Sequence, residues 1–179
     1  MSDSSPHPAD RPYGPFELVV VRRGTDATLY TIRFADREET EFDRFLSAEK
    51  IVRNHFFEAL VSRLRLSVDR YGFRPEFFEH GKGYDDGVLG YLRTWEGKIP
   101  PPLTLRLYVA RFSESVMIVG SGCVKNRGDR LEHSPDCAQP FYRLRNAYRR
   151  IMVSMELNEI ILEPNDTEFF GRTQFENTR

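Results

Sequence analysis

The sequence predicts an α+β domain: two N-terminal helices packed on an antiparallel β-sheet followed by a C-terminal helix, with an extra N-terminal β-hairpin. Three observations carry that expectation. The apolar period is helical through residues 42–68 and changes to two from about residue 87 onward. Two strongly apolar runs, Leu103 to Phe112 and Ser115 to Val124, are separated only by Ser113-Glu114, the spacing of a hairpin. A basic, amphipathic stretch then runs from Pro140 to Met155. With 40% apolar and 13% aromatic residues, the chain has the material for an ordinary core.

Residues 1–14 hold three prolines and little to bury, and read as a flexible tail. A single domain over residues 15–163 follows, with residues 164–179 as an acidic extension. Phe16 to Arg22 and Thr28 to Phe34 are β-rich and flank Arg23-Gly24-Thr25-Asp26, a hairpin signal. Asp36 to Leu46 is acidic, with Phe42, Phe45 and Leu46 at the spacing of a short helix. Ser47 is placed to cap a longer one, whose stripe is Ile51, Val52, Phe56, Ala59, Leu60, Leu64 and Val68. Gly72 and Pro75 stop it, and the two helices are expected as an antiparallel pair.

Gly87 to Thr94 is the next strand. In the run from Leu103, alternation sends Leu103, Leu105, Leu107 and Val109 to one face and Thr104, Arg106, Tyr108 and Ala110 to the other. Lys125 to Asp136 is a polar loop. The basic helix turns Phe141, Leu144, Tyr148, Ile151 and Met155 inward and Arg143, Arg149 and Arg150 outward. Glu156 to Pro164 is a last strand, and the remainder reads as frayed.

Net charge is −1, unevenly spread. Residues 101–155 hold nine basic and four acidic side chains, and residues 156–179 two and six. A polyanion would dock on the former, with the acidic end shielding it in cis. No apolar run approaches the roughly 18 residues of a membrane span. The first eleven residues lack the apolar centre of a secretory signal. A cytoplasmic location without membrane contact is expected, where Cys123 and Cys137 would stay as thiols.

The stretch Leu105 to Gly128, LRLYVARFSESVMIVGSGCVKNRG, pairs an Arg-aliphatic-aromatic strand with an aliphatic one that ends in small and basic residues. With the helices before and after it, it resembles the RelE/ParE superfamily of type II toxins over residues 29–152. The HigB-like, phage-derived branch is nearest because of Lys125-Asn126-Arg127. The resemblance implies a toxin, a ribosome-dependent mRNA endoribonuclease that needs no cofactor or metal. Its partners would be mRNA on the ribosome and a cognate antitoxin of the helix-turn-helix kind. The alternative it leaves open is a non-catalytic protein of the same fold that binds gyrase or another protein, or a phage-derived accessory protein.

Residue by residue, the resemblance puts Arg106 on the scissile phosphate and Lys125 and Arg127 in the basic cluster beside it. It puts His133 in proton transfer and Tyr91 and Arg93 along the substrate groove, where Tyr108, on the face of Arg106, and Lys82, in a glycine-bearing loop, would join them. The chemistry suits these types. Cleavage of RNA by its own 2′-hydroxyl needs a base, an acid and cations on the phosphorane, and arginine grips phosphate oxygens with a planar fork. The chain departs from the family in its N-terminal hairpin, its acidic end and its near-neutral charge.

Plainer readings compete with these. Arg106 with Tyr108 also fits a solvent-facing pair on a half-exposed sheet, and His133 a surface loop histidine. His80 and Lys82 sit in HGKG, which lacks the residues of a phosphate loop. Cys123, His133 and Cys137 have no zinc spacing and no fourth ligand, and Asp85-Asp86 is turn chemistry.

Overall fold

Alternating aromatic and β-branched residues form β1 (Phe16–Arg23) and β2 (Thr28–Phe34), an antiparallel hairpin with a bulge at Val21. Residues 13–79, 88–95 and 97–177 are described by the computed structural model of the chain. Next come α1 (Glu41–Ser47), α2 (Glu49–Val52) and α3 (Phe57–Leu66), which runs into a π-helical turn, Ser67–Tyr71. The strands β3 (Phe78–Glu79), β4 (Leu89–Leu92), β5 (Leu103–Arg111) and β6 (Val116–Asn126) lead to α4 (Pro135–Glu156). The chain closes with β7 (Ile160–Ile161), β8 (Phe170–Gly171) and β9 (Gln174–Phe175).

Among the described residues one sheet of seven strands dominates, in the order β3-β4-β5-β6-β2-β1-β9, with β2 and β6 parallel. This overturns the expected RelE/ParE-like architecture of two helices on an antiparallel sheet. The sheet is mixed, four α-helices among the described residues flank it, and strands follow the last of them. The N-terminal hairpin is no appendage, because β2 lies in the middle of the sheet against β6. Thr31 ties the join: its hydroxyl donates to Val119 O at 2.8 Å and accepts from the Phe42 amide at 3.2 Å.

The sheet is covered on both faces. Leu29, Leu105, Leu107, Val109, Met117 and Val119 pack with Phe42, Phe45, Ile51, Leu60 and Leu64 of the first three helices. Tyr30, Ile32, Tyr108, Ala110 and Ile118 pack with Phe141, Leu144, Tyr148 and Ile151 of α4. The alternation read along β5 therefore holds, but its second face lies beneath α4 and is not an open groove. At β6 the residues Gly120 and Ser121 stand opposite Tyr108 alone, a bulge that swaps the faces of the residues after it. Gly122 faces Phe45, where an added Cβ would come 2.9 Å from the ring and clash with Arg106 O.

Two helix readings are corrected. Thr40 caps α1 in a reciprocal box with Asp43, and the long second helix is broken at residues 53–56 into α2 and α3. Gly72, at φ 70°, does end the π-turn. Arg143, expected outward, is buried and pairs with Glu41 at 2.8 Å. The segment read as frayed carries β8 and β9. Phe175 stacks on Phe16 with ring centroids 4.5 Å apart, and Phe169 is buried against Tyr30. The acidic end thus lies along β1, on the edge of the sheet away from β5. Its Glu168 pairs with Arg23 at 2.6 Å, and the Glu176 carbonyl accepts from Arg150 at 2.5 Å. No helix among the described residues is long and apolar enough to cross a membrane.

Candidate anion-binding site

Beyond the N-terminal end of α4, the same sheet face gathers cations and aromatic rings. Arg106 on β5 is two residues before Tyr108, which faces Tyr91 across the β4–β5 ladder. The Arg106 guanidinium carbon lies 4.2 Å from the Tyr91 ring centroid, within cation–π distance. Lys125 shares this face because the bulge resets the parity of β6, and only 5% of it is exposed. Its Nζ donates to Asn126 O at 3.3 Å and to Asp129 O.

Burial pulls the Lys125 ammonium below the ordinary lysine pKa, and the nearby Arg106 charge lowers it further, against a smaller opposing pull from Asp129. Burial raises the Tyr91 phenol, which therefore stays protonated and neutral at physiological pH. Among the described residues Arg106 pairs with no carboxylate, and its Nε has no hydrogen-bond partner. Trp95 Nε1 and Thr94 Oγ1, just after β4, are buried and unpartnered too. Arg93 lies 5.4 Å over the Trp95 ring, donates to Trp95 O at 3.0 Å and pairs with Glu79 at 3.5 Å.

Two neighbouring cations, offset only in part by Asp129, are costly in a partly desolvated place. An anion offering several acceptor oxygens would relieve that cost, and phosphate matches the arginine fork. The arrangement can hold a phosphate beside aromatic faces on which a base could stack.

Arg106, Lys125 and Tyr91 therefore meet. Tyr108 is fully buried, edge-on to Phe141 at 5.5 Å, and lines the core under the site. Arg93 stands beside Trp95, one strand over. Arg127 is exposed at the rim, its guanidinium donating to Pro100 O at 3.3 Å. His133 is exposed at the end of a 3-10 turn, Leu131–His133, and touches neither Arg106 nor Lys125 among the described residues. Lys82, His80 and Asp85-Asp86 lie outside the described residues.

Sequence reasoning missed Trp95 and Thr94, although a lone tryptophan beside Arg93 was a signal. It also kept Cys123 and Cys137 apart as thiols. They form a disulfide with Cα atoms 5.1 Å apart, joining β6 to the first turn of α4. The spacing of 14 residues, from a strand end to a helix start, was readable but ambiguous.

No protein family, curated protein or solved structure matches the chain.

Proposed function

We propose that this chain is an RNA-directed toxin of the type II kind, which grips the phosphate backbone with Arg106 and Lys125 and cleaves mRNA on the ribosome. The observation that supports it is the neighbouring Arg106 and Lys125, with Arg106 lying against the Tyr91 ring and paired with no carboxylate among the described residues. The proposal rests on this cation pair and not on the fold.

In that reading Arg106 holds the phosphate oxygens and stabilises the charge gained as the 2′-hydroxyl attacks. Lys125, its ammonium made more acidic by burial, gives a proton to the departing 5′-oxygen. His133, on the loop that follows, takes the 2′-hydroxyl proton. Arg127 at the rim meets the next phosphate. A cognate antitoxin would hold the toxin inactive until it is needed.

Induced expression in a bacterial host, with growth followed and mRNA 5′ ends mapped, tests this beside Arg106→Ala and His133→Ala. The expected result is arrest with codon-phased cuts, lost in Arg106→Ala. Arrest with intact mRNA would replace the nuclease reading with a protein target such as gyrase. Toxicity retained in a folded Arg106→Ala would remove the site.

A further inference from the structure

The disulfide stands where it can act on the cation pair. Cys123 is the cross-strand partner of Arg106, and Lys125 is two residues further along the same strand. Side chains directly opposite on a ladder have Cβ atoms about 4.5–5.5 Å apart. Cys137 sits in the first turn of α4, a helix of 22 residues. The bond closes the loop that carries Lys125, Arg127 and His133.

Both oxidation states are accommodated. Cys123 Sγ lies 3.7 Å from the Tyr108 hydroxyl, and Cys137 Sγ lies 3.7 Å from Val124 O. A reduced Cys137 thus has an acceptor waiting for its S–H, and a reduced Cys123 has a donor for its sulfur. The disulfide needs neither contact. Both cysteines are buried, so a reductant reaches the bond when the loop it closes opens locally.

We propose that the Cys123–Cys137 pair is a redox control on the anion site, which binds phosphate more tightly when the pair is oxidised. This rests on the phosphate-binding reading of Arg106 and Lys125. An external dithiol supplies the change. Its thiolate attacks one sulfur, the mixed disulfide resolves as the second thiol attacks, and the reductant leaves as its own disulfide. The protein gains two electrons and two protons as two thiols.

One consequence follows for the site. Reduced, the loop of residues 124–136 loses its clamp to α4, and Lys125 is held less firmly beside Arg106. Oxidised, the clamp fixes both cations for the ligand.

A short 2′-O-methyl RNA, which lacks the attacking hydroxyl, serves as the probe. Its affinity is measured for the full chain oxidised with glutathione disulfide, after a dithiol, and after reoxidation, with thiols counted by alkylation under denaturing conditions. Expected are no free thiols, then two, with affinity falling about tenfold on reduction, the weight of one charge-assisted contact, and recovering on reoxidation. A folded Cys123→Ser/Cys137→Ser variant should ignore the dithiol. Equal affinity in both states, or two free thiols after oxidation, overturns the control while leaving the anion site in place. No RNA binding in either state overturns the site reading itself and the control with it.

Discussion

Lys125 shows what burial does to a single charge. Its folded-state pKa lies below the ordinary lysine value of 10.5, so over the interval between the two the unfolded chain binds more protons. Stability therefore rises with pH across that interval, and the full cost of burying the charge is present below it. In Lys125→Met that rise should be absent from urea unfolding measured between neutrality and pH 10.5; an unchanged slope would show that Lys125 is not the titrating group. A bound phosphate pulls the other way, favouring the ammonium. RNA affinity should accordingly fall on the alkaline side earlier than an ordinary lysine would allow, and that fall should vanish in Lys125→Met. At Glu41 and Arg143 the pairing is closer and drier, at 2.8 Å with both side chains under a tenth exposed. Removing one partner of such a pair typically costs about 3–5 kcal/mol, because the other is left buried and alone. Because Arg37 and Arg44 also approach Glu41, at 3.7 Å and 3.4 Å, Arg143→Met should show a smaller loss, about 1–3 kcal/mol by chemical denaturation, and a loss under 1 kcal/mol would mean that those two arginines suffice.

Among the elements, what the sequence disclosed was local. The period of two along β5 set its faces, and the pairing of β5 with β6 followed from their nearness in the chain. The stripe of Ile51, Leu60, Leu64 and Val68 is buried as read, but Val52 of the same stripe is exposed. The turn at residues 53–56 rotates the helical segments and so breaks the single stripe. The parallel pairing of β2 with β6 was not legible, since it joins strands nearly ninety residues apart and leaves no local mark. Nor was the bulge at Gly120–Ser121, which moves Cys123 and Lys125 onto the face of Arg106. The cations of the site were thus found by type, and their meeting only by structure. Gly122 belongs to this element, since an added Cβ would press on Arg106 O and the Phe45 ring. Gly122→Ala should destabilise by about 1–3 kcal/mol, as overpacking does. It should also displace the Arg106 backbone, seen as weaker RNA binding in a protein that still folds.

Across the whole molecule, the site on β5 and β6 stands several strands from β9 at the edge of the sheet. The acidic segment meets Arg23 and Arg150 near β1 and stands several strands from Arg106, so shielding in cis is replaced by a structural part. Phe175→Ala should cost about 3 kcal/mol. In a chain of this size that lowers Tm by roughly 6–12 °C. RNA affinity should be unchanged, and a rise in affinity with an unmoved Tm would restore the shielding idea. Composition pointed to residues 101–155 for a polyanion, but several of the charges there are engaged within the fold: Arg143 on Glu41, Arg150 on backbone carbonyls, and Arg111 on Phe73 O. The charge sum did not distinguish these from Arg106 and Lys125. The measurement that bears most directly on Arg106 and Lys125 is the salt dependence of binding to an uncleavable single-stranded RNA. Each phosphate contact contributes about 0.7 to the slope of log affinity against log salt on single strands. Arg106→Ala is predicted to weaken binding about 10- to 100-fold and to flatten that slope by about 0.7. A folded Arg106→Ala protein with the parent's affinity and slope would contradict the account.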